Sequence, residues 1–195
     1  MRGSLMITGD AAADELLNTD GTALLIGMLL DQQVPMEMAF HGPATLLGRL
    51  GHLDASKIAA MGEDEAVAVC CEKPAIHRFP AAMGRRIHAL CSMLTTEYGG
   101  RGENVWEGVA SGDELYRRLR SLPGFGDEKS RIFVAVLGKR MGVQPDGWRA
   151  TAGPFGDDVP RSVADIGDAE TLAKVRGWKQ AARAANRDKQ DRPLP

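Results

Sequence analysis

The amino-acid sequence predicts an all-α protein. Apolar residues recur at helical spacing along most of the 195-residue chain, and residues that cap helices stand where these stretches begin. No segment alternates between apolar and polar residues as a half-buried strand would, and no two-residue turn joins two such segments. Hydrophobic residues make up 44% and charged residues 26%, which is the balance of a globular domain of this size.

Each helix predicted in the first half of the chain is delimited by a cap, a proline or a glycine. Asp20 can cap a helix that runs to about Gln33, and Pro35 can open a second helix that runs to about Leu50. The remaining predictions are a short helix capped by Asp54, another from about Glu63 to Cys71 that ends near Pro74, and a longer one from about Pro80 to Tyr98, closed by Gly99 and Gly100.

The second half of the chain is predicted to hold a pair of helices joined by a short turn. Ser111 and Glu114 have the spacing of a capping box, which opens the first helix. The second helix follows residues 122–126 and runs from Asp127 to about Met141; because residues 132–137 are apolar all round, we expect it to be central and buried. Beyond it we expect a Gly- and Pro-rich loop over residues 142–160 with at most one helical turn, and a last helix from Asp168 to about Asn186.

Charge is distributed unevenly along the chain. The formal net charge is −2, but residues 1–75 carry four basic and eleven acidic residues, while residues 76–195 carry twenty basic and fifteen acidic ones. The last 25 residues hold seven basic and two acidic residues, so residues 168–195 are predicted to form a basic helix and tail. A basic second half could meet phosphate groups while the first half faces solvent, although a helical surface with uneven charge explains the same pattern.

Several classes of protein are disfavoured by what the sequence lacks. No apolar run approaches the roughly 20 residues that span a membrane, and no secretory signal is recognisable near the start. We therefore expect a cytoplasmic protein whose three cysteines, Cys70, Cys71 and Cys91, are free thiols. The four histidines show no metal-ligand spacing, and no Gly-rich phosphate loop is present, so neither a metal nor a nucleotide cofactor is expected.

The most informative segment is the turn Leu122-Pro123-Gly124-Phe125-Gly126 between the two paired helices. Pro123 ends the first helix, and Gly124 and Gly126 allow positive φ and close approach of another molecule to the backbone. The second helix then begins with unpaired N–H groups that point over the turn, which is an arrangement that binds anions such as a DNA phosphate. Lys129, Arg131 and Lys139 would add positive charge. The alternative is an ordinary corner between helices that uses glycine and proline for geometry alone.

This segment resembles the helix-hairpin-helix, here residues 112–141, of the HhH-GPD superfamily of base-excision DNA glycosylases, whose L-P-G-x-G motif it contains. The resemblance covers about residues 20–150 and implies a single domain over residues 1–195, in which two helical lobes flank a DNA-binding cleft. It also covers Leu29-Leu30-Asp31-Gln32-Gln33-Val34, because family members carry a Gln, often a pair, at the end of an early apolar helix. In the family this junction approaches DNA beside the flipped nucleotide.

The resemblance assigns roles to single residues. Asp146 stands at the distance past Gly126 at which the family has its catalytic Asp. By this resemblance, its carboxylate would stabilise the positive charge that develops on the sugar and would orient or activate water. Its Pro145-Asp146-Gly147 context equally suits a turn residue that bonds its own backbone. Gln33 or Gln32 would fill the space left by the flipped nucleotide, unless the pair is a helix cap or faces solvent. Trp148 and Met28 are candidates to line the base pocket, and the alternative for both is core packing.

Other features of the sequence differ from those of particular branches of the family. Glu128 stands where bifunctional members have their Schiff-base lysine, and Lys129, one residue along, is turned by roughly 100° on a helix. Met28 stands where the adenine-excising branch has a second catalytic Glu, and the four-cysteine cluster of the endonuclease III branch is missing. These departures predict a monofunctional enzyme without an iron–sulfur cluster.

The expected function is therefore that of a monofunctional DNA glycosylase, acting as a monomer on double-stranded DNA with a flipped base. No cofactor is expected, apart from a monovalent cation that the hairpin could hold, and no membrane partner is expected. The alternative is a protein that holds duplex DNA or a lesion on the same scaffold without cutting. The residues do not indicate which base is excised.

Overall fold

A computed structural model describes residues 3–184, apart from the side chain of Arg183. Its helices are α1 (Ala11–Thr19), α2 (Gly21–Leu30), α3 (Met36–Leu50), α4 (Ala55–Ala60), α5 (Glu63–Cys71), α6 (Pro80–Glu97), α7 (Gly112–Ser121), α8 (Asp127–Arg140), α9 (Trp148–Ala152) and α10 (Ala169–Ala184). Three 3-10 segments lie at Gly102–Val105, Gly153–Gly156 and Val163–Asp165. Because residues 3–184 contain no β-strand, only an isolated bridge between Ser111 and Asp146, the all-α prediction is confirmed.

Side-chain caps begin several helices where the sequence places them. The carboxylates of Asp20 and Asp54 accept hydrogen bonds from backbone N–H groups of α2 and α4, and Asp168 accepts one from the N–H of Thr171 over 2.7 Å. The Ser111 hydroxyl accepts one from the N–H of Glu114. The Glu114 carboxylate reaches the N–H of Ala110, one residue before the position that a capping box requires. These caps fix the starting points of the predicted helices.

The structure differs from the sequence predictions near the N-terminus. The helix α1 was not predicted; it is capped by Asp10, whose carboxylate accepts from two N–H groups of the first turn. The helix α2 ends at Leu30 rather than near Gln33, because the backbone leaves the helical region at Asp31, whose ψ is 73°, and Gln33 then adopts the left-handed conformation with φ of +57°. The chain consequently leaves α2 in a tight junction, and α3 begins directly after Pro35.

Two helices form the centre of the core. Every residue of α2 is buried, and so is the apolar stretch 132–137 of α8, as its sequence predicts. Phe133 of α8 makes edge-to-face contacts with Trp106 and with Phe125 of the turn before α8, at ring-centroid distances of 5.9 and 5.8 Å. The turn is thereby fixed to the core on its inner side.

The C-terminal part of the chain is described as far as Ala184. The predicted basic helix and tail over residues 168–195 therefore appears as α10, while residues 185–195 of that prediction lie outside the described residues. The inner face of α10 includes Val175, which is fully buried. Among the helices within residues 3–184, none is long and apolar enough to cross a membrane.

Candidate nucleic-acid interface

The turn between α7 and α8 leaves an open backbone surface. Gly124 has φ of +82°, and the N–H of Phe125 closes the turn on the carbonyl of Leu122 over 3.1 Å. Positive φ was expected at Gly126 as well, and this is wrong: its φ is −79° with ψ of 178°, a conformation open to any residue. A Cβ at Gly126 would meet only open space. The backbone conformation therefore does not require glycine here, and the effect of the glycine is to leave the outer surface of the turn without a side chain.

The first turn of α8 has no side-chain cap, because the residue before it is Gly126. The unpaired N–H groups of a helix start therefore lie at the bare surface of the turn. The adjacent Asp127 turns towards α7, where its carboxylate accepts a 2.5 Å hydrogen bond from the hydroxyl of Tyr116 and pairs with Arg131. The Tyr116 hydrogen bond is the main cause that holds the pKa of Asp127 below its usual value, and Arg131 adds to it.

The three cations that the sequence placed beside the turn all have protein partners. Lys129 donates to the main-chain carbonyls of Met28 and Leu29 at the end of α2, over 2.6 and 2.8 Å. Arg131 binds Asp127 and the carbonyl of Thr151. Lys139 is 10% exposed and pairs with Asp165 over 2.6 Å. It lies about 20 Å along α8 from Gly126, as 13 residues of helix require. The structure thus gives these side chains structural roles; Lys129 stays beside the turn, with its ammonium 5.9 Å from the ring centroid of Phe125, whereas Lys139 is remote from it.

The side chain of Phe125 is also turned inward. It is 2% exposed and packs in the core against Phe133. Only the backbone of Phe125 borders the turn surface, where its carbonyl accepts a hydrogen bond from the exposed Arg120 over 3.1 Å. Arg120 was not predicted as a candidate, although the structure holds it against the turn.

The two glutamines after α2 have different settings. Gln32 is fixed: its Nε2 donates to the carbonyl of Leu29 over 2.8 Å, and its Oε1 accepts from Nη1 of Arg86 over 2.9 Å. Gln33 is exposed and is the one residue other than glycine with positive φ among the described residues. A left-handed conformation is costly for a residue with a side chain and is often found at functional sites. The structure therefore presents Gln33 at the surface and holds Gln32 behind it.

The glutamine junction and the turn lie side by side, although about 90 residues separate them in the sequence. A Cβ at Gly124 would lie 3.5 Å from side-chain carbons of Leu29 and 3.7 Å from Cδ of Arg86. Arg86 in turn binds Gln32, and Lys129 binds the carbonyl of Leu29. The two segments that the resemblance assigns to DNA contact are thus neighbours, linked through Leu29, Arg86 and Lys129.

An exposed aromatic residue before α6 adjoins this junction. Phe79 is 44% exposed, and the guanidinium of Arg78 lies 4.8 Å from its ring centroid. The buried His77 connects it to the junction, since Nε2 of His77 is 2.9 Å from the carbonyl of Gln32 and Nδ1 accepts from the N–H of Phe79. Sequence reasoning missed Phe79 and Arg78, because the sequence does not show which aromatic residues remain exposed.

A cavity of about 880 Å³ lies between the glutamine junction and α10; we call it the Gln cavity. Helix α10 is attached there by Arg176, whose Nε is 2.7 Å from Oε1 of Glu37, and by Lys179, whose Nζ is 3.4 Å from the sulfur of Met36. The residues that line the cavity are Asp31, Gln32, Gln33, Val34, Pro35, Met36, Glu37, Arg78, Glu128, Arg176, Trp178, Lys179, Gln180 and Ala182.

Asp146 lines a different concavity of about 410 Å³, together with Ser111, Tyr116, Arg131 and Thr151 among others. Its backbone is fixed, because its N–H donates to the carbonyl of Ala110 and its carbonyl accepts from the N–H of Gly112. Its carboxylate is exposed and has no hydrogen-bond or ion-pair partner among the described residues.

Asp146 stands in a turn rather than at a helix start. The N–H of Trp148 donates to the carbonyl of Pro145 over 3.1 Å, Gly147 has φ of +75°, and α9 begins only at Trp148. The turn at Pro145-Asp146-Gly147, which the sequence suggested as the alternative to a catalytic position, is therefore present in the backbone. Its side chain does not stabilise that turn, so the carboxylate remains available to a ligand in this cleft.

The two candidates for the base pocket lie in the core instead. Met28 is 1% exposed within α2. Trp148 is 8% exposed, and its ring lies so close to Gly138 that any side chain there would collide with it. Neither residue borders the Gln cavity or the Asp146 cleft, so the structure gives them a packing role.

Cys70 and Cys91 offer no reactive centre of the kind that a low thiol pKa would create. Burial raises the pKa of both Cys70 and Cys91 to about 12, so their thiols are protonated at neutral pH. In the part of the chain that is described, no three His, Cys, Asp or Glu side chains come together as a metal-binding group.

Comparison with known proteins adds no assignment. No family model matches the chain, and no curated protein is similar to it at a significant level.

Proposed function

We propose that the protein binds duplex DNA and hydrolyses the N-glycosidic bond of a damaged or mispaired base. The observation that carries this proposal is the link between the turn of residues 122–126 and the glutamine junction: Leu29 and Arg86 border Gly124, and Arg86 binds Gln32. We call the surface formed by this turn, the glutamine junction and Phe79 the DNA face. The all-helical architecture is compatible with the two-lobed HhH-GPD fold, which we include in the proposal.

The DNA face offers groups that bind phosphate. The bare backbone at Gly126 exposes the amide end of α8, and Arg86 and Arg120 place guanidinium groups beside the turn. Arg78 supplies a third exposed cation at the edge next to Phe79. Because phosphate contacts release counterions, binding through such groups weakens steeply as the salt concentration rises.

The same face offers groups that could replace an extruded nucleotide in the duplex. A nucleotide must leave the base stack before its glycosidic bond can be reached. Gln33 is exposed and projects from a strained backbone position, whereas Gln32 is held by Leu29 and Arg86, so Gln33 is our choice for the residue that fills the gap. The exposed ring of Phe79, which His77 connects to the junction, provides an apolar surface on which a base can stack.

Asp146 is the carboxylate that we propose for excision. The leaving base creates positive charge on the sugar, and a fixed carboxylate stabilises that charge and orients water. The exposed carboxylate of Asp146, held on a hydrogen-bonded backbone, suits that task. Because Glu128 occupies the family's imine position, we expect hydrolysis without strand cleavage.

A second candidate function is binding of duplex DNA or of a lesion without excision. The observation that favours it is the separation of Asp146 from the Gln cavity: the cleft lined by Asp146 shares no residue with the cavity next to Gln33. A carboxylate that does not reach the extruded sugar would leave a binding protein on the same scaffold.

One experiment tests both candidates. Duplexes that contain uracil, hypoxanthine, an alkylated purine or an oxidised purine are compared with an undamaged duplex for binding at increasing salt and for alkali-labile abasic sites. Binding with formation of abasic sites supports the glycosylase, whereas selective binding without product supports the second candidate. If no duplex binds even at low salt, the proposed DNA face is wrong.

A further inference from the structure

We infer that the Gln cavity holds an extruded nucleotide and that Trp178 of α10 is the surface on which its base stacks. This inference rests on the proposed binding of DNA, whether or not excision follows. It places the base-binding site between the glutamine junction and α10, away from Met28 and Trp148.

The position and size of the Gln cavity fit this role. Its volume of about 880 Å³ lies within the range of about 300–1,000 Å³ that is usual for sites of small ligands. Gln32 and Gln33 belong both to its lining and to the DNA face. A nucleotide that leaves the duplex next to Gln33 would therefore enter this cavity first.

Trp178 differs from the other two tryptophans of the chain. Trp106 and Trp148 are 5% and 8% exposed and pack in the core, whereas Trp178 is half-buried and lines the cavity. A partly exposed indole can receive a base on its face, and such stacking is tolerant of base identity. The structure thus places one aromatic platform in the cavity.

The remaining lining supplies groups for the other parts of a nucleotide. Arg78 is an exposed cation that can pair with phosphate, and Asp31 carries oxygens that can accept hydrogen bonds from amino groups of a base. The side-chain amides of the glutamine junction can donate and accept. An aromatic surface, a cation and a carboxylate in one cavity are the combination that a nucleotide needs.

Helix α10 is attached so that it forms one wall of this site. Arg176 binds Glu37 and Lys179 contacts Met36, and both partners follow directly after the glutamine junction. Trp178 lies between these two attachment points in the sequence of α10. The contacts of α10 with α3 therefore determine how the indole faces the cavity.

Intrinsic fluorescence tests the inference, because only Trp178 should respond to a bound base. The probes are a duplex with one unpaired adenine, the same duplex with an abasic analogue at that position, and a fully paired duplex. We expect the unpaired adenine to quench the fluorescence of the wild-type protein and to protect it from acrylamide, and we expect the abasic duplex to do so much less. In Trp178→Phe, which keeps a ring, the quenching should be lost.

Affinity provides the second measurement. Trp178→Leu should lower the preference for the unpaired-adenine duplex over the abasic duplex by about tenfold, as expected for loss of one stacked base, and should leave binding of paired duplex unchanged. Lys174→Ala, which removes a cation of α10 that does not line the cavity, is the control and should keep the preference. A full preference in Trp178→Leu, or quenching that persists in Trp178→Phe, would overturn the inference. Failure of every duplex to bind would instead refute the proposed function.

Discussion

The ammonium of Lys129 lies 2.6 Å from the main-chain carbonyl oxygen of Met28, a residue 101 positions earlier in the chain. Together with its bond to the carbonyl of Leu29, this contact satisfies two carbonyls at the C-terminal end of α2, which an α-helix leaves without partners. The same contact draws the first turn of α8 against the start of the glutamine junction. Lys129 therefore stabilises the proposed DNA face from within.

The first prediction concerns Lys129. Lys129→Met keeps most of the side-chain volume but removes the donor to the carbonyl of Met28 and leaves that of Leu29 with Gln32 alone, so the free energy of unfolding should fall by about 1–3 kcal/mol. Urea denaturation measures this change, and Lys174→Met, at a lysine paired on the surface with Glu170, should change stability by less than about 1 kcal/mol. Borohydride should trap no adduct between the wild-type protein and DNA. A trapped adduct that is lost in Lys129→Met would contradict the structural role.

The second prediction separates charge from conformation at Gly126. Because φ is −79° and a Cβ would meet open space, Gly126→Asp and Gly126→Asn should both fold. Both can cap α8, so the free energy of unfolding should stay equal or rise by a few tenths of a kcal/mol. Only Asp brings a negative charge against a phosphate, so affinity for paired duplex should fall about tenfold or more in Gly126→Asp.

Gly126→Asn is the matched neutral variant, and we expect it to lose much less affinity than Gly126→Asp. Gly124→Ala provides a contrast in stability. An alanine held at φ of +82° is strained, so the free energy of unfolding should fall by about 1–2 kcal/mol. Equal DNA affinity in wild type and Gly126→Asp would remove the turn from the interface.

The sequence predicted the helices and the turn well, because both depend on local chemistry. The caps at Asp20, Asp54 and Asp168 are short-range interactions, and the apolar stretch of α8 has only one way to be buried in an all-helical protein. The unpredicted α1 lies in a segment whose helical pattern is short, and its burial depends on contacts with α2 and α3.

The side chains around the site could not be predicted in the same way. Lys139 and Arg131 are cations near the turn in the sequence, yet their partners Asp165 and Thr151 follow 20 or more residues later, and only the fold brings them together. Trp178 lines the same cavity as the glutamine junction because Arg176 attaches α10 to Glu37 of α3, which no periodicity in the sequence indicates.

The third prediction concerns the attachment of α10. Arg176→Glu and Glu37→Arg each place like charges together and should lower the preference for a duplex with an unpaired adenine roughly two- to fivefold, the effect of a partly exposed ion pair. The double variant, which restores opposite charges, should recover most of that preference. A double-mutant cycle on duplex affinity measures the coupling. If the effects of the two single variants on this preference are additive and the double variant does not recover it, this ion pair does not hold α10 at the cavity.

The last prediction compares the carboxylates of the two concavities. Asp146→Asn keeps the shape of the side chain and removes its charge, and excision should slow by roughly a hundredfold or more, because a charge that faces the developing cation on the sugar is lost. Affinity for DNA should stay equal or rise slightly, since one negative charge leaves the surface. Stability should be unchanged, because the carboxylate has no partner among the described residues that Asn would lose.

Glu128→Gln is the counterpart in the Gln cavity. If Glu128 only accepts a hydrogen bond from the base, its loss should slow excision by less than about tenfold, since a Gln oxygen accepts the same bond. Single-turnover rates at saturating protein separate this effect from binding. The reverse order, with full activity in Asp146→Asn and loss of activity in Glu128→Gln, would move the catalytic role to the carboxylate that lines the cavity beside Gln33.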